Sequence, residues 1–143
     1  MTTNKLEKAF ESFDTYNKQD THITTWEQTT YPAEYFYALQ LYNQVKKLQP
    51  DASEALLLAS RSQHIGRWKT PREDYPAGKA GYYKWRINLA KFHAETAGAL
   101  MAEAGYDKET IDAVRSIIQK ENLHKSNFWC LFLIQSLLVF PVR

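Results

Sequence analysis

Histidine, arginine and aromatic residues that could bind a ligand lie close together in the middle of the chain. Histidine can donate or accept a proton, or bind a metal ion, near neutral pH. The arginine guanidinium matches the oxygen geometry of phosphate and carboxylate groups, and aromatic rings can form flat pocket walls. The residues that we predict to line a ligand pocket are His64, Arg67, Trp68, Arg72, Tyr75, Tyr82, Trp85, Arg86 and His93.

The distribution of charge along the chain points to an anionic ligand. The whole chain of 143 residues carries a formal net charge of only +2. Residues 61–91 alone contain eight basic and two acidic side chains, a net charge of +6. Such local positive charge attracts anionic partners. A basic surface exposed to solvent has the same composition, so the charge pattern by itself leaves both interpretations open.

The spacing of the histidines suggests how they could meet. Arg86 and His93 lie two turns apart on one face of a predicted helix. His64 ends the preceding helix, and Arg67 follows three residues later. If the two helices are neighbours, these four side chains converge on one cleft. Two simpler roles stay open at this point: each histidine could cap a helix end, and Arg86 could pair with an acidic side chain such as Glu95.

The hydrophobic periodicity predicts the helices that position these residues, and no alternating pattern of useful length predicts a strand. The polar segment 18–30 and the segment 66–81, rich in proline and glycine, predict loops. The fold class is therefore all-α, a single domain over residues 1–143 with about five to six helices. The predicted helices cover residues 3–17, Pro32 to before Pro50, 52–65, 82–104, a fifth after Asp107, and 128–140.

Local capping signals set the predicted helix ends. Asp51 and Glu54 have the spacing of a capping box before the third helix. Gly66 and Gly105 follow apolar helical segments and are predicted to end them. Asp107 is the predicted N-cap of the fifth helix.

Composition favours a cytoplasmic protein. Cys130 is the only cysteine, so an internal disulfide is excluded, and the N-terminal residues contain no apolar secretory signal. The apolar run 128–142 is shorter than the roughly 20 residues that a membrane span needs, so we expect a buried helix there. Phosphate-loop, nucleophile-elbow and zinc-protease motifs are absent from the sequence, and catalytic residues stay unassigned.

Three segments resemble the family called domain of unknown function 4202, over about residues 31–124. They read ASEALLLASRSQHIGRW, PREDYPAGKAGYYKWR and FHAETAGALMAEAGYDKETIDAV. The family name implies no established activity. The densest signatures are Gln63-His64-Ile65, Arg67-Trp68, Pro71-Arg72, Tyr75-Pro76, Gly81-Tyr82, Trp85-Arg86 and Phe92-His93-Ala94.

Residues 125–143 are atypical for this resemblance. The family implies an acidic segment, then a helix rich in cysteine and leucine, then further chain. Cys130-Leu131 is present here, whereas the acidic residues are missing. We therefore expect a truncated or frame-shifted product, and resequencing the gene would test this expectation.

The chain also resembles HD-domain phosphohydrolases, more distantly, in a leucine-rich helix ending at His64 and a later helix containing His93. That resemblance implies an HD-like helical arrangement, a divalent metal and hydrolysis of phosphate esters. Ile65 stands where the aspartate of the His-Asp doublet is expected, and Tyr35 or Tyr37 where another histidine is expected. The implied set of metal ligands is thus incomplete, and the cofactor stays unassigned.

Three functions remain in competition after this reading. The first is binding of a phosphorylated or otherwise anionic small molecule in a pocket of arginine, histidine and aromatic residues. The second is a metal-dependent phosphohydrolase of HD-like type. The third is a nucleic-acid-binding module, in which the same basic and aromatic residues contact phosphates and bases. The sequence predicts no oligomeric state.

Overall fold

Helices dominate the structure, a computed structural model that describes residues 2–119. The all-α prediction is confirmed, with a small two-stranded sheet as the addition. Two short 3₁₀ turns, Arg67–Lys69 and Arg72–Asp74, lie between the third and fourth helices. In chain order the other elements are α1 (Thr2–Asn17), β1 (Ile23–Trp26), β2 (Thr29–Pro32), α2 (Ala33–Leu48), α3 (Glu54–Ser62), α4 (Lys79–Ala104) and α5 (Lys108–Ile118).

The two strands form an antiparallel hairpin inside the segment predicted as a loop. Ile23 pairs with Pro32, and Trp26 pairs with Thr29. Glu27 and Gln28 make the turn with φ values of 49° and 69°, the left-handed conformation that a two-residue hairpin turn requires. The prediction of a plain loop was wrong because the strands are short and mostly exposed, so no buried face imposes an alternating pattern.

The hydrophobic core lies between helices α1 to α5. Ala94, Ala97 and Gly98 are small, so a neighbouring helix can approach this side of α4 closely. A Cβ atom on Gly98 would lie 3.2 Å from Cγ2 of Ile111, so α5 packs closely there. The largest fully buried apolar side chains are Phe13, Val45, Leu58, Ile65, Met101, Val114, Ile117 and Ile118.

The helix ends correct two capping predictions and support two others. Gln63, not Gly66, is the C-cap of α3. Ser53, not Asp51, is the N-cap of α3, and its Oγ accepts a hydrogen bond from the Leu56 N–H at 3.1 Å. Asp107 caps α5 as predicted, and its hydrogen bonds with Thr110 lower the pKa of the Asp107 carboxyl. Gly105 ends α4 with a φ of 103°, which favours glycine.

Boundaries differ in two further places. Helix α4 begins at Lys79, three residues before the predicted start, and α3 ends at Ser62 rather than continuing to residue 65. The predicted helix over 128–140, Cys130 and the atypical segment 125–143 lie outside the described residues. None of the helices within residues 2–119 is long and apolar enough to cross a membrane.

Candidate ligand-binding site

Gly66 turns the chain sharply after α3 and so brings Arg67 against α4. Its φ is 70°, and its N–H donates to Oδ1 of Asn17 at 3.2 Å. A Cβ atom at this position would lie 2.8 Å from Cε2 of Phe92 and 2.9 Å from Cε1 of Tyr16. Both the backbone conformation and the lack of space therefore require glycine here.

The segment over residues 66–78, which we call the strap, is held together by Arg72. The Arg72 Nη1 group donates to the carbonyl oxygens of Tyr75 and Pro76 at 3.2 and 3.0 Å, and Nη2 donates to Gly78 at 3.3 Å. The strap packs tightly on the start of α4, because a Cβ atom on Gly81 would lie 1.9 Å from the Pro76 carbonyl oxygen. These contacts fix the position of the Arg72 guanidinium.

Trp85 connects the strap to α4. It is only 6% exposed, and its Nε1–H donates to the Thr70 carbonyl at 2.8 Å. The Cζ atoms of Arg67 and Arg72 lie 5.3 and 6.0 Å from the ring centre, so two guanidinium groups approach one indole. Distances of this size allow an attractive cation–π interaction.

A cavity of about 400 Å³ opens beside these residues, and we call it the tryptophan cavity. The strap and α4 contribute Arg67, Trp68, Arg72 and Trp85 to its lining. These four are the predicted site residues that the structure brings together around this cavity. The hairpin and α2 form another part of the lining, with Asp20, His22, Glu34 and Tyr37.

The acidic side of the tryptophan cavity was not predicted. Asp20 is buried, and its carboxylate accepts hydrogen bonds from the N–H groups of His22 and Glu34, both at 3.0 Å. The His22 Nδ1 atom lies 2.9 Å from the same carboxylate. Asp20 thus satisfies a backbone donor in the first turn of α2, and Glu34 is also buried. In the sequence, Asp20 is one polar residue in a polar segment, and nothing there indicates that α2 buries it.

His64 and His93 meet in a second, smaller pocket of about 30 Å³, which we call the histidine pocket. Their ring centres are 5.8 Å apart, at an angle of 73°. Arg67 and Arg86 also line this pocket, so the four side chains expected to converge do lie around one space. Arg67 lines both cavities.

The orientation of the buried His93 ring is fixed by the backbone of Ile65, the residue just before the strap. Its Nδ1 atom lies 2.7 Å from the Ile65 carbonyl oxygen, which can only accept a hydrogen bond. Nδ1 therefore carries the proton, and Nε2 holds a lone pair in the neutral imidazole.

Gln63 contributes an acceptor without a hydrogen-bond donor. Its Nε2 group donates to the Ile118 carbonyl at 3.3 Å, which fixes the direction of the amide. The buried Oε1 atom then has no hydrogen-bond partner among the residues that the structure describes. Gln63 lines the histidine pocket and also a gap of about 10 Å³ beside Glu34 and Tyr37. Unpaired buried acceptors are rare in proteins, so this atom marks one of these two spaces as a place for a bound donor.

Two predicted site residues, Tyr75 and Tyr82, lie outside the lining of both cavities, and Arg86 lines only the histidine pocket. The Tyr75 hydroxyl accepts a hydrogen bond from Nδ2 of Asn88 at 2.9 Å, and Tyr75 is outside the lining of both cavities. Tyr82 and Arg86 are exposed on α4, where Arg86 Nη1 donates to the Tyr82 hydroxyl at 3.4 Å. Arg86 reaches the histidine pocket but not the tryptophan cavity.

A wider groove of about 470 Å³ runs between α1 and α4, away from these residues. Its charged lining consists of Lys8, Glu11 and Glu103, which is a poor environment for an anion. Among residues 4–119, no three histidine, cysteine, aspartate or glutamate side chains lie close enough together to hold a metal ion.

Comparison with known families gives one match. The sequence model of the family described as Domain of unknown function (DUF4202) matches residues 7–137, which is most of the chain. The match starts earlier and ends later than the resemblance noted over residues 31–124. No curated protein and no solved structure matches the chain.

Proposed function

The chain belongs to the DUF4202 family, and we propose that it binds a small anionic molecule, such as a phosphorylated metabolite, in the tryptophan cavity. The observation that carries this proposal is the pair of guanidinium groups, from Arg67 and Arg72, that lie 5.3 and 6.0 Å from the centre of the Trp85 ring at the cavity. A cavity of about 400 Å³ lies within the usual range for small-molecule sites, roughly 300–1,000 Å³.

The two arginines have different roles in this proposal. Arg72 already donates to three strap carbonyls, so its guanidinium supplies fixed positive charge more than new hydrogen bonds. Arg67 lines both the tryptophan cavity and the histidine pocket, so its guanidinium would lie beside a ligand in either space. We therefore assign the direct contact with the anionic group to Arg67.

The acidic side of the tryptophan cavity narrows the ligand class. Asp20, Glu34 and Glu73 line the cavity together with the two arginines, so the lining is not uniformly basic. A polyanion would be repelled from the acidic side. A ligand with one anionic group and several hydroxyl or amine donors fits better, because the donors can face carboxylate oxygens while Trp68 covers an apolar or planar part.

The phosphohydrolase alternative has one supporting observation, the adjacent His64 and His93 rings with the His93 tautomer fixed by Ile65. The described residues do not fit the metal that this alternative requires, since two imidazoles fall short of the three protein ligands common at catalytic zinc sites. We derive no reaction step through a metal, and binding remains the preferred proposal.

The experiment is a titration of the purified protein with inorganic phosphate, sugar phosphates and nucleoside monophosphates, followed by calorimetry. We expect at least one phosphorylated compound to bind, and Arg67→Gln to weaken its binding by about tenfold or more, because a charge-assisted hydrogen bond contributes roughly 1.5–3 kcal/mol. The matched control is Arg115→Gln, since Arg115 on α5 lines neither cavity.

Two results would contradict the proposal. One is equal affinity in the wild-type protein and Arg67→Gln, which would mean that the anion binds elsewhere. The other is the absence of binding across the whole set of phosphorylated compounds at millimolar concentration.

A further inference from the structure

A strip of large side chains is exposed along the first half of α4, outside both cavities. Tyr82, Tyr83 and Ile87 are 41%, 53% and 67% exposed. Helical spacing puts Tyr83 and Ile87 on the solvent side and Tyr82 at its edge, next to Trp85 and Leu89, which are buried. Exposed rings in such a cluster suggest a contact surface rather than a core.

The exposed half of α4, about half of the helix circumference, is strongly basic. The side chains of Lys79, Lys84, Arg86 and Lys91 are exposed, and the sequence has no acidic residue between Tyr75 and Ala94. In the part of the chain that the structure describes, no carboxylate forms an ion pair with any of these four cations. We call this surface the outer face of α4. It consists of Lys79, Tyr82, Tyr83, Lys84, Arg86, Ile87 and Lys91.

The rings and cations of the outer face are interleaved. Arg86 Cζ lies 5.9 Å from the Tyr82 ring centre, and Lys79 Nζ lies 6.0 Å from the Tyr83 ring centre. The two rings are 5.8 Å apart and inclined at 61° to each other. Each exposed ring thus has its own cation beside it, along a surface about 18 Å long from Lys79 to Lys91 at 1.5 Å per residue.

We propose that the outer face of α4 binds single-stranded nucleic acid. Lysine and arginine side chains contact the phosphates, and unpaired bases stack on Tyr82 and Tyr83. Surfaces that bind single strands combine these two features, a basic path for the backbone and exposed aromatic rings for the bases. Tyr82 borders the tryptophan cavity, since its ring centre lies 5.9 Å from that of Trp85 and 6.0 Å from Arg72 Cζ. None of the outer-face residues lines that cavity, so the inference does not depend on the proposed ligand there.

A nucleic acid suits the outer face better than an anionic membrane does. A helix that binds a membrane surface presents an apolar side of leucine, phenylalanine or tryptophan to the lipid. In α4 the apolar side, with Trp85, Leu89 and Met101, is buried in the protein, and Ile87 is the aliphatic side chain within the outer face. Tyrosine hydroxyls next to cations favour a polar, charged partner with planar groups.

The test is fluorescence anisotropy of the full chain with a labelled 12-nucleotide oligouridylate, repeated over a series of salt concentrations. We expect binding that weakens steeply with salt, because each released phosphate counterion contributes about −0.7 to the slope of log K against log salt. Tyr83→Ala should weaken binding at least fivefold, and Lys84→Gln should weaken it and lower the slope by about 0.7.

Matched variants separate stacking and charge from general damage. Tyr83→Phe keeps the ring and should bind within twofold of the wild-type protein. Lys47→Gln removes an exposed lysine from α2, outside the outer face, and should leave both affinity and slope unchanged. Arg67→Gln should also leave oligouridylate binding unchanged, so failure here and failure of the proposed function are distinguishable.

Three results would overturn the inference. The first is no binding of oligouridylate at low salt, and the second is binding that Tyr83→Ala and Lys84→Gln do not change. The third is binding to vesicles containing phosphatidylserine with no binding to the oligonucleotide, which would assign the face to a membrane.

A 12-base-pair duplex should bind more weakly than the single strand, and equal affinity would contradict base stacking.

Discussion

The tryptophan cavity and the outer face of α4 contain the same kinds of residue, arginines next to aromatic rings, in opposite environments. Trp85 is 6% exposed and donates to a backbone carbonyl at 2.8 Å, and Arg72 beside it donates to three carbonyls. Tyr82 is 41% exposed, and its hydroxyl accepts one long hydrogen bond of 3.4 Å. A cation beside a ring is therefore part of a rigid wall in one region and of an adaptable surface in the other.

The difference comes from the rotation of a single helix. Tyr83 lies two positions before Trp85, and a turn of 100° per residue directs these two side chains to nearly opposite sides of α4. Tyr82 lies one turn before Trp85, at the edge of the exposed side, and its ring centre is 5.9 Å from that of the tryptophan. The strap then completes the distinction, because it covers Trp85 and supplies the Thr70 carbonyl. Residue type alone thus does not decide which of the two functions an arginine–aromatic pair serves.

The largest effect on stability is expected from Gly81→Ala, which tests whether the strap forms a rigid wall of the tryptophan cavity. The new Cβ atom would lie 1.9 Å from the Pro76 carbonyl oxygen, which belongs to backbone and cannot move without the strap. We expect the free energy of unfolding to fall by about 3 kcal/mol, since overpacking against backbone is costly. Chemical denaturation followed by circular dichroism would measure the change.

Ala80→Ser is the control for this substitution, because Ala80 is the preceding residue of α4 and is exposed. It should change the free energy of unfolding by less than about 0.5 kcal/mol. Equal stability of Gly81→Ala and wild-type protein would mean that the strap does not pack on α4 as described. The wall of the tryptophan cavity would then not be more rigid than the outer face.

A smaller effect is expected from Trp85→Phe. The substitution keeps an aromatic ring but removes the Nε1–H that donates to the Thr70 carbonyl. Leaving a partly buried carbonyl unpaired costs about 1–3 kcal/mol, and we expect a loss of about 2 kcal/mol in denaturation experiments. Tyr82→Phe, the equivalent loss of a polar atom on the outer face, should have an effect below about 0.5 kcal/mol. Similar losses in the two variants would contradict the distinction between wall and surface.

Ser53→Ala tests stability at a position far from both surfaces. Ser53 caps α3 through its hydrogen bond with the Leu56 N–H, and removal of such a cap costs typically about 1 kcal/mol. Asp51→Ala should change stability by less than about 0.5 kcal/mol, because Asp51 is not the cap. Thermal denaturation of both variants would measure this, and a larger loss in Asp51→Ala would restore the cap expected from the sequence.

The wrong prediction for the N-cap of α3 shows which part of the fold the sequence could not predict. The period of apolar residues predicts the helices because the core selects one side of each, as in α5 with Val114, Ile117 and Ile118. Asp51 and Ser53 are both good cap residues, and backbone conformation decides between them. The hairpin was not predicted because its strands are mostly exposed, so buried and exposed positions do not alternate along them.

The candidate site divides in a similar way. Arg67, Trp68, Arg72 and Trp85 were predictable because they lie close together in sequence and the strap keeps them close in space. Asp20 and Glu34 were not, because distant parts of the chain bring them to the tryptophan cavity. The meeting of His64 and His93 was predicted on the condition that α3 and α4 are neighbours. Instead α3 ends at Ser62, and the residues after it, through the Ile65 carbonyl, bring the two rings together.

The smallest effect on stability is expected from Tyr83→Ala, which compares the outer face with Trp85 of the tryptophan cavity most directly. Tyr83 is 53% exposed, and its contacts are the Tyr82 ring and the Lys79 ammonium group, which are themselves exposed. We expect the free energy of unfolding to change by less than about 0.5 kcal/mol, measured by urea denaturation. The same variant should bind oligouridylate at least fivefold more weakly. A substitution on the outer face would then reduce binding without reducing the stability of the fold. A loss of stability comparable to that of Trp85→Phe would show that Tyr83 is held as firmly as the tryptophan, and the outer face would then be structural.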